Sequence, residues 1–145
     1  MNTAQFLFLV IAALGVGLWV YLHARAESKR RARFAARSPL PLDAWIELHY
    51  PGLTDAEQIA VRRILEALSD CLGFDASMLL PSDRLEMLFF KEFYLLDDTW
   101  NCVEEALASS LGSAASVDPY SATVGDLIED LLSQYGNNER TGAGG

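Results

Sequence analysis

Asp97–Asp98 and Glu104–Glu105 are adjacent acids whose type and spacing could do chemistry. Neighbouring carboxylates can act as a general acid and a general base. However, Asp97 and Asp98 directly precede apolar residues at helical spacing, where an acidic residue caps a helix and interacts favourably with its dipole. We therefore interpret Asp97 and Asp98 as the start of a helix, and Glu104 and Glu105 as its solvated face.

The other candidates for catalysis stand alone. A single histidine such as His49, in a short apolar segment, is more often a packing residue than a catalyst. A small hydrolase or transferase that uses His49 with a carboxylate is the weaker alternative. Cys71 and Cys102 lie on apolar helical stripes, without a CxxC motif or a His/Cys cluster. We expect both cysteines to be reduced and buried as small hydrophobic residues.

Sequence motifs for catalysis are missing. The chain has no glycine-rich phosphate loop, no HExxH zinc motif and no GxSxG nucleophile motif. Together with the interpretation of the acids, this predicts a protein that is not an enzyme and has no catalytic residue, metal site or cofactor.

The charge of the chain is divided unevenly. Residues 1–37 carry six bases and one acid, a net charge of +5, whereas residues 38–145 carry five bases and 19 acids, a net charge of −14. A domain this acidic repels phosphate and gains nothing from counterion release. The sequence therefore predicts that nucleic acid is not a partner.

A membrane span is predicted near the N-terminus. The seventeen residues from Phe6 to Leu22 carry no charge. As a helix they extend about 25 Å, close to the roughly 30 Å of a hydrocarbon core. Trp19 and Tyr21 are residue types that suit a membrane interface. We predict an anchor over residues 1–24 that contacts the membrane through residues 6–22, including Phe6, Trp19 and Tyr21.

A cleaved signal peptide is the alternative, since Ala24–Ala26 resembles a cleavage site. The first five residues have no base, though, and the apolar run exceeds the usual length of about 7–15 residues. All six nearby bases follow the span, so the positive-inside rule places the N-terminus outside and the C-terminal domain in the cytoplasm. The reduced cysteines fit that compartment, and we expect a single-pass protein of a bacterial inner membrane.

The rest of the chain is predicted to form one helical domain. Residues 25–41 are a basic juxtamembrane stalk and a proline linker, because Pro39 and Pro41 end the helix. Residues 42–136 form the domain, and residues 137–145 a disordered tail. The helices of the domain are predicted from apolar periodicity, capping boxes and C-terminal glycines. They are a short helix from Leu42 to Tyr50, one from Thr54 to Gly73, one from Asp97 to Gly112, and one opened by Thr123 and Asp126.

The segment before Asp97 is unusually apolar. The large residues between Leu85 and Tyr94 are too many for one face of an exposed helix, so most must be core. The sequence leaves open whether Met87–Tyr94 also forms a groove for a lipid or an acyl ligand, and a small-molecule ligand stays unknown.

The order of features from Thr54 to Tyr135 resembles an acyl carrier protein. The resemblance rests on a first helix that ends in Leu72-Gly73-Phe74, a polar turn at Leu80–Leu85, and a last helix opened by Thr123-Val124-Gly125-Asp126-Leu127. The sequence is also similar to a bacterial family of unknown function with an acyl carrier-like fold. The resemblance implies an all-α, four-helix domain behind the anchor.

This chain departs from the carrier pattern where the phosphopantetheine arm is attached. Carriers have a serine at the start of helix two, and here that position is Asp97 or Asp98. A carboxylate cannot accept the phosphodiester, so we expect no prosthetic group. The sequence then predicts a non-catalytic adaptor that docks a cytoplasmic partner with a basic patch through Asp97, Asp98, Glu104 and Glu105. The alternative is a functional carrier modified on Thr99 or Ser82.

Overall fold

The computed structural model describes residues 2–91, 95, 96 and 98–142. In this part of the chain the protein is helical, apart from one antiparallel ladder of two residues per strand, in which Phe90 lies opposite Leu96. The elements in chain order are α1 Thr3–Ala35, α2 Leu42–His49, α3 Asp55–Leu72, a 3₁₀ turn Ala76–Met78, α4 Leu85–Phe89, β1 Phe90–Lys91, β2 Leu95–Leu96, α5 Asp98–Leu111 and α6 Val124–Gly142.

The predicted starts of α3 and α6 are confirmed. Both helices open with a capping box, in which a threonine hydroxyl accepts from a backbone N–H three residues on and a carboxylate accepts from the threonine N–H. In α3 these residues are Thr54 and Glu57, and in α6 they are Thr123 and Asp126. The α3 helix ends at Gly73, whose φ of 72° is accessible to glycine at little cost.

The core is centred on α3, which packs against α2, α5, α6 and the 3₁₀ turn. The indole Nε1–H of Trp45 donates to the carbonyl of Leu79 at 2.8 Å, so this buried polar group is satisfied. Each helix of the domain contributes buried side chains, among them Trp45, Ile46, Val61, Ile64, Leu65, Leu68, Leu85, Leu88, Phe89, Trp100, Val103, Leu107, Val124, Leu127, Ile128 and Leu131.

Some apolar residues of the predicted helices are exposed. Leu48 on α2 is 64% exposed and Ile59 on α3 is 49% exposed, because the helices pack through Trp45 and Val61. Met87 is 39% exposed on α4, whereas Phe93 and Tyr94 lie outside the described residues.

The C-terminal end of the last helix is also placed incorrectly by the sequence. α6 continues to Gly142, so the expectation of a tail that begins at Asn137 is wrong for residues 137–142. The physical reason is that this segment contains no proline, so an already nucleated helix can continue through it.

The end of α1 is built into the domain. Phe34 is 4% exposed and its ring stacks on Phe74 with the centroids 5.4 Å apart. The guanidinium of Arg37 donates to both carboxylate oxygens of Asp83, at 2.5 and 3.0 Å. Arg33 Nη1 lies 3.0 Å from the sulfur of Met87. The stalk is therefore not a loose tether, because its last turns pack on the domain.

The turn before α4 lies directly against the start of α6. Three backbone N–H groups cross between them: Leu85 donates to Ala122 at 3.0 Å, and Val124 and Gly125 donate to Asp83 and Pro81 at 2.8 Å. A Cβ atom added at Gly125 would lie 3.1 Å from the Pro81 carbonyl oxygen and 3.3 Å from its Cβ. This position therefore requires a residue without a side chain.

We expect Gly125→Ala to lower the free energy of unfolding by about 1 kcal/mol, since Pro81 cannot retreat without lengthening its hydrogen bond. Gly136→Ala is the matched control in the same helix, because no atom lies within 4 Å of its added Cβ. This control should raise the free energy of unfolding by roughly 0.5–1 kcal/mol. Denaturant unfolding of the full chain in detergent measures both, and equal gains in the two variants would contradict the expectation.

Candidate functional site

The predicted acidic residues lie on the exposed side of α5. Asp98 is its first residue, and Asp98, Glu104 and Glu105 are all exposed, whereas Asp97 lies outside the described residues. The opposite side of the helix is buried through Trp100, Val103 and Leu107. α5 is therefore packed firmly on the core through one side and presents these carboxylates to solvent on the other.

The exposed side of α5 continues onto α3. The sequence pattern did not predict this extension. Arg63 of α3 donates to the carbonyl of Ser110 at 3.1 Å, near the end of α5, whereas Cys71 reaches Cys102 near its start. The two helices therefore run antiparallel. Asp70 is exposed and lies seven residues after Arg63, on the same helical stripe. We call Asp70, Asp98, Glu104 and Glu105 the acidic surface.

The expectation of two separate, buried cysteines is wrong. Cys71 and Cys102 form a disulfide with their Cα atoms 5.8 Å apart, and both cysteines of the chain are used. Cys71 is half-buried and Cys102 is exposed. Periodicity assigned each cysteine to an apolar stripe of its own helix, but the pairing depends on how α3 and α5 pack, which local sequence does not encode.

The disulfide lies within the acidic surface. Asp98, Cys102 and Glu105 occupy positions i, i+4 and i+7 of α5, so they share one stripe of the helix. The bond connects this stripe to the last turn of α3. Across a sequence separation of 31 residues, loop-closure entropy predicts a stabilisation of about 3–4 kcal/mol relative to the reduced chain.

The alternative site at His49 has no catalytic geometry. The imidazole packs on the indole of Trp45 with the centroids 4.7 Å apart, which agrees with a packing role. Within the described part of the chain, His49 makes no hydrogen bond to a carboxylate, and no group of three His, Cys, Asp or Glu side chains could hold a metal ion. Next to it, burial and the charges of Glu129 and Asp126 raise the pKa of Tyr50 to about 12, so its phenol is neutral at physiological pH.

Two hydroxyl groups were considered for modification, and they differ in accessibility. Thr99 is half-buried in the first turn of α5, whereas Ser82 is exposed in the turn before α4. The start of α5 does not fit a phosphodiester-linked arm, because its first residue is the carboxylate Asp98.

α1 carries the predicted membrane contacts. Phe6, Trp19 and Tyr21 are 58%, 61% and 58% exposed, and none of them packs on the domain. In the described residues, one helix is long and apolar enough to cross a membrane, and it covers Thr3–Arg25. From Arg25 to Phe34 the helix rises about 14 Å, so the domain begins about that far beyond the apolar segment.

Removing the disulfide should destabilise the oxidised protein. We expect Cys71→Ser to lower the free energy of unfolding by about 2–4 kcal/mol and the Tm by about 10–20 °C. Cys71→Ser/Cys102→Ser should give the same loss within error, because both variants break one bond. Thermal unfolding of the purified full chain, with and without reductant, measures this. A reductant that leaves the wild-type Tm unchanged would show that the bond contributes nothing.

Tyr50 should make the fold sensitive to alkaline pH. The pKa of Tyr50 is raised above its ordinary value of 10.0, so its contribution is fully present below pH 10 and is lost as the pH rises towards 12. Between pH 10 and pH 12, the free energy of unfolding should fall by roughly 1–2 kcal/mol less in Tyr50→Phe than in the wild type, after allowance for solvent screening. Tyr120→Phe, at an exposed position, is the control and should keep the wild-type slope.

Comparison of the chain with protein-family models, with curated proteins and with solved structures gave no match in any of the three.

Proposed function

We propose that the protein is a membrane-anchored, non-catalytic adaptor that docks a cytoplasmic protein through its acidic surface. The observation that carries the proposal is the division of α5 into two faces. One face is buried in the core, and the other presents Asp98, Glu104 and Glu105 to solvent. Carboxylates fixed on a packed helix form a recognition surface that loses little conformational entropy on binding.

The partner that fits this surface has a basic patch. Complementary charge raises the rate of encounter and disfavours acidic partners, while it adds less to the affinity itself. The domain that carries the surface has a net charge of −14 over residues 38–145, so its long-range field favours a cationic protein. Binding of this kind should weaken as salt screens the charges.

The proposed architecture is a degenerate carrier-like bundle of four helices. α2 precedes the carrier-like part, in which α3 ends at Gly73, the turn at Pro81–Asp83 follows, and α6 opens with Thr123–Leu127. The carboxylate of Asp98 at the start of α5 supports an adaptor over a carrier, since it cannot accept a phosphodiester. The alternative, a carrier modified on a hydroxyl, is supported by the exposure of Ser82 in its turn.

The proposed location is a bacterial inner membrane, with the N-terminus outside and the domain in the cytoplasm. The support is the asymmetry of the flanks: six bases follow the apolar segment within fifteen residues and none precedes it. This arrangement places the acidic surface within reach of soluble proteins, on the side of the membrane where the domain is held close by α1.

Charge reversal on α5 tests the docking surface. We expect Glu104→Lys/Glu105→Lys to abolish recovery of proteins crosslinked to the full chain in membranes, because it converts attraction to repulsion. Glu47→Lys/Glu129→Lys, at exposed positions on α2 and α6, is the matched control with the same change in net charge. The control should recover the same proteins as wild type, and salt of about 1 M present during crosslinking, with a Debye length of about 3 Å, should prevent their recovery.

Equal recovery from both double variants would refute docking through the acidic surface. Intact mass measurement of protein co-expressed with a phosphopantetheinyl transferase tests the alternative. An added phosphopantetheine on the wild type that is absent from Ser82→Ala or Thr99→Val would establish a carrier and overturn the adaptor.

A further inference from the structure

We propose that Cys71 and Cys102 form a reversible thiol–disulfide pair that regulates the acidic surface. This inference rests on the proposed function, because it uses the cytoplasmic location of the domain and the docking role of α5. It goes further in naming a control over that surface and the chemistry that operates it.

The position of the pair makes control of the acidic surface possible. Cys102 lies one turn after Asp98 and one turn before Glu105. The bond fixes this part of α5 to the last turn of α3, where Asp70 precedes Cys71. Oxidation therefore sets the distance between the acids on the two helices. Reduction removes the covalent link and leaves the first turns of α5 attached through noncovalent contacts, among them Trp100 on Phe89 with the ring centroids 5.1 Å apart.

The pair is also accessible to a redox partner. Cys102 is exposed and Cys71 is half-buried, so neither sulfur lies deep in the core. Disulfides that serve only as structural bonds are rare in the cytoplasm, where cellular thiols keep cysteines reduced. Two cysteines already at bonding distance in such a compartment remain reduced during normal growth. They become oxidised when the cellular thiol pool becomes oxidised.

The oxidant is a low-molecular-weight disulfide of the glutathione class. The exposed Cys102 thiolate attacks one of its sulfurs, which forms a mixed disulfide and releases one small thiolate. The Cys71 thiolate then attacks the Cys102 sulfur, closes the protein disulfide and releases the second small thiolate. Two electrons pass from the protein to the oxidant, and the two protons from the cysteines end on the released thiols. Excess small thiol reverses both steps.

The redox state of the full chain in cells tests the proposal. Acid quenching followed by a maleimide of high mass adds one gel shift per reduced cysteine. In unstressed cells we expect both cysteines to be labelled. After treatment with the thiol oxidant diamide we expect neither to be labelled, and within minutes of its removal both should be labelled again. The variant Cys71→Ser/Cys102→Ser shows where the unlabelled protein runs on the gel. A C-terminal reporter that is active only outside the cytoplasm records the orientation.

Two results would overturn the switch. A pair that is oxidised throughout unstressed growth is a permanent bond, and a pair that stays reduced in diamide does not respond. The reporter distinguishes failure of the redox switch from failure of the proposed location. An active reporter refutes the cytoplasmic orientation, whereas an inactive reporter supports it. The docking role is tested independently by the charge reversal on Glu104 and Glu105.

Hydrogen exchange tests the effect on α5. In the purified full chain, reduction should speed amide exchange in the first two turns of α5 several-fold more than in the buried part of α6 around Leu127 and Leu131, where exchange reports only the global loss of stability. Equal exchange in the oxidised and reduced protein would mean that the bond does not control the acidic surface. The same increase throughout the domain would mean that the bond acts only on global stability and would also contradict the proposal.

Discussion

The pairing of Arg37 with Asp83 is the interaction that connects the anchor to the rest of the structure. The Asp83 carboxylate accepts two hydrogen bonds from Arg37 and one from the Leu80 N–H, while its backbone carbonyl accepts from Val124. One residue thus joins α1, the turn before α4 and the start of α6. The hydrogen bond to Asp83 raises the pKa of Arg37 despite partial burial, so the guanidinium stays charged at any physiological pH.

This connection sets the distance between the apolar segment and the domain. Phe34 is buried in the domain, and the helix reaches it about 14 Å after the apolar segment ends at Arg25. A headgroup layer is about 5–8 Å thick, so a membrane that held Thr3–Arg25 would leave the domain just outside this layer. In that case anionic lipids would repel the negative charge of the domain and would attract the exposed Arg25 and Lys29 of the stalk.

Local features of the fold were predictable from the sequence, and contacts between distant segments were not. The capping boxes at Thr54 and Thr123 and the stop at Gly73 involve residues within four positions of one another, so the sequence specifies them directly. The bond from Cys71 to Cys102, the extension of the acidic surface to Asp70 and the contact of Arg37 with Asp83 join separate elements. Periodicity identifies an apolar stripe on each helix, but it does not say which stripes meet.

The phrase Thr123–Leu127, which carries much of the resemblance to carriers, is explained by packing alone. Thr123 and Asp126 cap α6, Val124 and Leu127 are buried, and Gly125 allows Pro81 to approach. None of these roles involves a prosthetic group, so the same phrase suits any domain in which this turn lies against a helix start. A carrier additionally needs a hydroxyl at the helix that bears its arm, and α5 begins with the carboxylate of Asp98. The phrase therefore reports how this turn packs against the start of α6, and it does not by itself distinguish a carrier from an adaptor.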